Sequence, residues 1–243
     1  MPRFFIQPGN ILETGIVITG DDYFHMSRTL RMRPGEAVTV CDPQGMEYHC
    51  RIRRMEADRA ELEVESSCPG QSEPSLEVCL FQCVPKGDKM DTIVQKAVEL
   101  GVAHIVPVLS RNCVVRLDTR AGEKKAQRWD RIALEAAKQC GRSRVPHVEA
   151  PISFAQALQR MKTFERGILL YEEERQCALA QMLTPGLRQL AFLVGSEGGL
   201  APEEARLARE QGIPTVSLGA RILRTETVAP AVLAIAMYVT ENL

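Results

Sequence analysis

The chain has 243 residues, 45% of them hydrophobic and 25% charged, which is enough to bury one large core or two modest ones and excludes a disordered or fibrous polypeptide. Thirty Lys and Arg face thirty-one Asp and Glu, so the formal net charge of -1 excludes a uniformly basic coat and leaves local charge distribution to indicate what the surface meets. The start, MPRFFIQPGN, carries no apolar signal segment, and no apolar run reaches the roughly 18 residues of a bilayer span, so a cytoplasmic protein with no membrane partner is expected. Eight cysteines with no CxxC pair read as free, buried thiols. His25, His49, His104 and His147 show no HxxxH or HxH spacing, so no metal site is expected.

In chain order, FFI, IVI, AVTVC, MEYHCRIRRM and AELEVE are short runs with period-2 alternation, separated by Gly, Pro and Asp. They predict a small β-rich domain over residues 1–70, in the form of a barrel, interrupted by one helix that Asp21 caps and Pro34-Gly35 stops. The polar, turn-rich SSCPGQSEPS, residues 66–75, reads as the linker. From residue 74 to 243 the pattern becomes α/β. LEVCLFQCV precedes a helix over DKMDTIVQKAVEL that Gly101 closes, and HIVPVL, GILLY, LAFLV and TVSL have the continuous apolar texture of a buried parallel sheet. Pro202, Glu203, Glu204 and Gly212 bracket a short capped helix. The last segment, APAVLAIAMYVTENL, is apolar nearly all round, which suits a buried or dimer-forming helix.

Charge is uneven within this near-neutral total. Residues 111–147 hold ten cationic side chains against four anionic ones, and the first domain adds Arg28, Arg31, Arg33, Arg51, Arg53 and Arg54. Single arginines of this kind are commonly solvated, but two clusters in one chain favour a phosphate backbone as partner.

Two segments carry the chemistry. LAFLV runs into Gly195-Ser196-Glu197-Gly198-Gly199-Leu200, whose glycines either let backbone amides approach a ligand or simply turn the chain; neither a Walker A nor a GxGxxG pattern is present. After TVSL comes Leu218-Gly219-Ala220-Arg221-Ile222-Leu223-Arg224-Thr225-Glu226-Thr227, an irregular, charged stretch between an apolar strand and an apolar helix. Charges there need partners, so the stretch lines a site, or Arg224 and Glu226 pair to pin the helix start, or both.

With these two segments in view the sequence resembles the bacterial 16S ribosomal RNA (uracil 1498-N3)-methyltransferases of the SPOUT class. RFFI, RTLRMRPGE after His25, KGDKMDTIVQKAVELGV, the EAAKQCGRSRVP stretch near Trp129, GSEGGL and LGARILRTETVAP carry the resemblance along the whole chain. Ser196 stands where proline is common in that family, and Val228 where alanine is common. The resemblance implies a PUA-like β-barrel for RNA binding and a C-terminal SPOUT α/β domain whose parallel sheet is threaded as a deep trefoil knot. It also implies S-adenosylmethionine as cofactor, a homodimer, and 16S rRNA or the assembled small ribosomal subunit as partner. On that basis Leu170, Val194, Gly195, Gly198, Gly199, Leu218, Gly219, Ile222, Leu223 and Arg224 are expected to hold the cofactor, and Arg3, Arg28, Arg31 and Arg33 to contact RNA.

The expected reaction is S-adenosylmethionine-dependent methylation of a uridine N3. Alternatives are a SPOUT enzyme acting on a ribose 2′-oxygen or a purine, or a non-catalytic RNA-binding module. Uracil N3 must lose a proton before it can accept a methyl group, so the site needs a proton acceptor and a cation for the resulting anion. Glu197 and Glu226 are the two candidate acceptors, and Arg224 is the candidate cation.

Overall fold

A computed structural model describes residues 1–12 and 14–243. The chain clusters into two compact units, Met1–Glu73 with Ala137–Val145, and Pro74–Ala136 with Pro146–Leu243. The seam at Glu73/Pro74 lies inside the expected linker, but Ala137–Val145 returns to the first unit, which a boundary at 74–243 does not include.

The first unit is built on β1 (Arg3–Phe5), β2 (Ile11–Leu12), β3 (Gly15–Thr19), β4 (Ala37–Cys41), β5 (Met46–Met55) and β6 (Arg59–Pro69), in the order β1-β4-β5-β6-β3-β2. Alternation explains the interior: Ile16, Ile18, Val38, Val40, Cys50, Ile52, Ala60 and Leu62 point to one buried side, with Phe4 and Met26 fully covered. Strand β6 runs through Pro69 because Ser66, Ser67, Cys68 and Pro69 pair with His49, Tyr48, Glu47 and Met46, so the first half of the expected linker is strand.

Between β3 and β4 the helix α1 (Gly20–Phe24) passes into a π-helical turn over His25–Thr29. Asp21 lies in the first turn of α1 and is not its cap; Thr19 occupies that position without a side-chain hydrogen bond. The segment ends before Pro34-Gly35, at Arg31, whose φ is +54°. The returning Ala137–Val145 is fixed by the nearly buried Arg142, which pairs with Glu73 at 2.5 Å, and by Arg144, which donates to Gln44 O at 2.7 Å.

The second unit holds β7 (Glu77–Cys83), α2 (Lys89–Glu99), β8 (His104–Leu109), α3 (Thr119–Cys140, whose last turn belongs to the first unit), β9 (His147–Val148), β10 (Ile152–Ser153), α4 (Phe154–Met161), β11 (Arg166–Leu170), β12 (Gln189–Val194), α5 (Pro202–Glu210), β13 (Thr215–Val216) and α6 (Thr225–Val239). Its sheet is parallel throughout, ordered β10-β8-β7-β12-β11-β13 with β9 beside β8. Both faces are covered, so its strands read as apolar runs: Leu80, Phe81, Leu190, Phe192 and Leu193 are fully buried. TVSL shortens to the two residues of β13, and the apolar C-terminal helix is covered on one side only, leaving Ile235 and Tyr238 exposed. No helix among the described residues is long and apolar enough to cross a membrane.

Candidate active site

Parallel pairing puts the carboxyl ends of β11, β12 and β13 at one edge, with Leu169 beside both Leu193 and Thr215. The residues leaving these strands therefore converge, at the place where open parallel sheets characteristically bind ligands. Tyr171-Glu172, the Gly195–Gly199 loop and Ser217–Leu223 enclose a cavity of about 420 Å³, with Lys89 and Val228 completing the wall.

The glycines have separable reasons. Gly199 has φ +64°, and a Cβ there would overlap the Glu172 carboxylate. A Cβ on Gly195 would stand 3.2 Å from the Gly199 carbonyl carbon, so the loop is folded tightly on itself. Gly219 has φ +104° with no protein atom within 4 Å of its Cβ position, so the space it leaves belongs to the cleft.

Thr225, the first residue of α6, donates its hydroxyl to Gly195 O at 2.7 Å and accepts from Gln82 Nε2 at 3.1 Å. Gln82 is fully buried at the end of β7, so this chain of bonds fastens the glycine loop and the start of α6 to the sheet. Arg224 and Glu226 flank the fastened residue: Arg224 is the extended N-cap and Glu226 lies in the first helical turn. The stretch expected to be irregular is thus helical from Thr225 onward.

Glu197 accepts the Lys86 N–H at 3.2 Å on each oxygen, and its Oε1 lies 2.9 Å from Lys89 Nζ. Lys89 Nζ is also 3.5 Å from Glu226 Oε2, a buried oxygen that makes no hydrogen bond. Burial pushes the Glu197 carboxyl up, but the Lys89 hydrogen bond and the backbone N–H donors outweigh it and leave the group below the usual carboxylate range. The same hydrogen bond to Glu197 raises the Lys89 ammonium. Arg224 is exposed and makes no ion pair or side-chain hydrogen bond among the described residues, so the expected Arg224 to Glu226 pair is replaced by Lys89 to Glu226.

Of the expected cofactor contacts, Leu170, Val194, Gly195, Gly199, Leu218, Gly219, Ile222, Leu223 and Arg224 all line the cavity, as does Glu197. Gly198 does not: its carbonyl accepts from Asn112 Nδ2 at 2.9 Å, and a Cβ would meet Asn112 at 3.2 Å, so it faces the neighbouring loop. Glu226 stands behind the wall, reached through Lys89. Arg221 and Arg224 are exposed, contrary to the expectation of buried charge. Lys89 and Arg175 line the cavity without having been singled out, as does Glu172 at the end of GILLYEE, a segment the resemblance assigns to the cofactor; the signal for Lys89 was a lysine directly after Asp88 at the start of α2.

In the first unit, Arg28, Arg31 and Arg33 are exposed with no acidic partner among the described residues. Arg3 differs: it pairs with Glu47 at 2.8 Å and donates to Cys41 Sγ at 2.9 Å, with its side chain only 15% exposed, so its donors are engaged within the sheet. The 111–147 cluster is likewise partly internal, since Arg111, Arg128, Lys138 and Arg142 pair with Glu203, Asp91, Asp22 and Glu73.

A parallel α/β unit with a cleft at its strand ends, together with a β unit that carries an exposed cationic turn, suits an enzyme that acts on a nucleic acid. Residues 72–237 match the RNA methyltransferase domain and residues 18–65 the RNA methyltransferase PUA domain. The chain belongs to the RNA methyltransferase family that includes ribosomal RNA small subunit methyltransferase E. It is 36% identical to that enzyme of Bacillus subtilis, over 93% of this chain and 91% of the relative, and 30% identical to that of Synechocystis, over 95% and 75%. Ribosomal RNA small subunit methyltransferase E of Neisseria gonorrhoeae, solved with bound S-adenosylmethionine, aligns with a TM-score of 0.85 and 36% identity over 98% of this chain and 97% of that one.

The cleft fits that cofactor. Its volume lies in the range of small-molecule sites. Leu170, Val194, Val216, Leu218 and Leu223 give its wall apolar surface of the kind a purine needs, and Glu172 and Glu197 add carboxylates compatible with a cationic ligand.

Proposed function

We propose that the protein methylates N3 of a uridine in 16S ribosomal RNA, at the position corresponding to uridine 1498, using S-adenosylmethionine. The observation that carries this reading is Arg224, which lines the cleft next to the fastened Thr225 and whose guanidinium has no acidic partner among the described residues. Bound S-adenosylmethionine supplies a methyl electrophile. The chain's own residues then align the base and manage one proton. Arg224 stabilises the charge that develops on the uracil oxygens as N3 is deprotonated. The proton acceptor is one of two carboxylates: Glu197 lines the cleft, with both oxygens engaged by Lys86 and one of them by Lys89 as well, and Glu226 lies behind the wall with its Oε2 3.5 Å from Lys89 Nζ.

A trefoil knot is supported by the bonding around Ser217. Leu169 and Tyr171 donate to Pro214 O and Val216 O on one side of this segment, while Ser217 N–H donates to Cys177 O and Leu179 N–H to Ser217 O on the other. Both flanks belong to the stretch from β11 to β12, so the chain leading to α6 passes between β11 and the connection that follows it. For the first unit, the long strands β5 and β6 with register shifts at His49/Cys50 and Ile52/Arg54 support curling into a barrel. The exposed Ile235 and Tyr238 on α6 support a homodimer through this surface, and a ribosomal substrate supports a cytoplasmic enzyme with the small subunit as partner.

Nucleoside mass spectrometry of 16S rRNA from a deletion strain tests the assignment. Loss of 3-methyluridine, restored by the wild-type chain, is expected; loss of a 2′-O-methylated nucleoside or a methylated purine instead would replace it. Light scattering of the pure protein at micromolar concentration is expected to give the mass of a dimer.

A further inference from the structure

The turn that follows α1 is built unlike an ordinary helix end. Leu30 N–H donates to His25 O at 2.9 Å, the π-helical spacing, and Met32 N–H donates to Met26 O at 3.0 Å around Arg31, an arginine with φ +54°. Inserting a π turn shifts the register of everything after it, and such turns recur at functional sites. Met26 and Met32 anchor the turn in the core, at 0% and 7% exposure, so the side chains between them are forced outward. A left-handed arginine is an unfavourable conformation that persists only where the surrounding bonds dictate it.

What the turn presents is an apolar and cationic surface together. Phe24 is 43% exposed and Leu30 40%, while Arg28 lies over the Phe24 ring at 4.8 Å. Arg28, Arg31 and Arg33 have no acidic partner among the described residues. Two isolated apolar side chains are too small an area for a protein interface. One aromatic face with a stacked guanidinium, rimmed by phosphate-binding cations, matches the requirements for an unpaired nucleotide.

We propose that the Phe24–Leu30 turn is a stacking platform for an unpaired base of the RNA, with Arg28, Arg31 and Arg33 holding the adjoining phosphates. The proposal rests on the RNA-modifying reading of the chain and adds to it that the first unit selects single-stranded RNA. A duplex keeps its base faces covered and can offer this surface only phosphates.

The test is fluorescence anisotropy of the full chain with a labelled oligouridylate and with a labelled blunt RNA duplex. Phe24→Ala is expected to weaken single-strand binding by roughly tenfold, the scale of one lost base stack, leaving the salt slope and the duplex affinity unchanged. Phe24→Trp should restore binding, and Leu30→Ala should weaken it in the same direction. Arg28→Gln should instead flatten the salt slope for both probes. Melting curves are recorded alongside, and because both side chains are partly exposed the variants should stay folded at the assay temperature. Wild-type affinity in Phe24→Ala, or an equal loss on single strand and duplex, overturns the platform while leaving the methyltransferase reading intact. A wild-type chain that binds neither probe overturns the platform too, whereas failure of the nucleoside assay above overturns the methylation assignment instead.

Discussion

Lys89 Nζ stands 2.9 Å from Glu197 Oε1 and 3.5 Å from Glu226 Oε2, so one ammonium bridges the glycine loop and the first turn of α6. With both carboxylates turned to Lys89, Arg221 and Arg224 are cations of the cleft wall with no acidic partner among the described residues. Removing Lys89 would leave both carboxylates to repel each other and to seek Arg224. Lys89→Met is therefore expected to lower turnover by about 10²-fold, the scale of a misplaced catalytic group, with a smaller change in S-adenosylmethionine affinity measured by calorimetry. Lys89→Arg should keep most of the rate. An unchanged turnover in Lys89→Met would show the bridge to be solvent decoration.

Arg224→Ala should lower the methylation rate by about 10²-fold to 10³-fold while cofactor binding changes little, since the lost contact matters only as charge develops on the base. Glu226→Gln should also slow the reaction, and raising the pH should recover part of the rate if proton acceptance is what was lost, because more uracil then ionises unaided. A defect that ignores pH would give Glu226 the role of keeping Lys89 in place. A fully active Arg224→Ala enzyme would remove this loop from the chemistry.

These roles were only partly legible in the sequence. MEYHCRIRRM and HIVPVL coincide with β5 and β8 because alternation and apolar runs directly encode which faces are buried. SSCP became strand because β5 supplies partners for it, and pairing outweighs turn propensity. Nothing in the helical periodicity of α3 encodes that Ala137 and the residues after it pack with a different unit from the residues before, since that depends on Glu73 and Gln44, more than 60 positions away. The glycine-rich and arginine-rich loops were visible as compositional oddities. The Lys89 bridge was not, because a lysine at a helix start has the same local pattern whether or not two distant carboxylates meet it.

Two of the cleft glycines, Gly195 and Gly219, should respond differently to substitution. Gly195→Ala must push against the Gly199 backbone, so it is expected to lower both the melting temperature and S-adenosylmethionine affinity. Gly219→Val has clear space, and the protein feels only the backbone penalty of a β-branched residue at φ +104°, while the new side chain and the altered backbone fall in a loop that lines the cleft. Calorimetry should show a large affinity loss with a small thermal shift. Normal binding by Gly219→Val would mean that this loop does not approach the cofactor.

Acid should loosen the strap that flanks β13 in a defined window. Glu174 accepts hydrogen bonds from the Thr215 hydroxyl, from Arg209 at 3.2 Å, and from the backbone N–H groups of Arg175 at 2.9 Å and Gln176 at 2.8 Å. The Thr215 hydroxyl and then the backbone donors hold its carboxyl down at about 2, against an ordinary value of 4.5. The unfolded chain thus binds the proton more readily than the folded one between these two values, so unfolding becomes easier as the pH falls through that interval. The stabilisation is complete above about 4.5 and disappears as the pH approaches 2. Glu174→Gln keeps an acceptor but loses the charge, so at neutral pH its melting temperature should lie a few degrees below wild type, at roughly 2–4 °C per kcal/mol for a chain of this size. The gap between variant and wild type should close as acid protonates the native carboxyl. A gap that stays constant from neutral pH down to pH 2 would show that the loss comes from shape and not from charge.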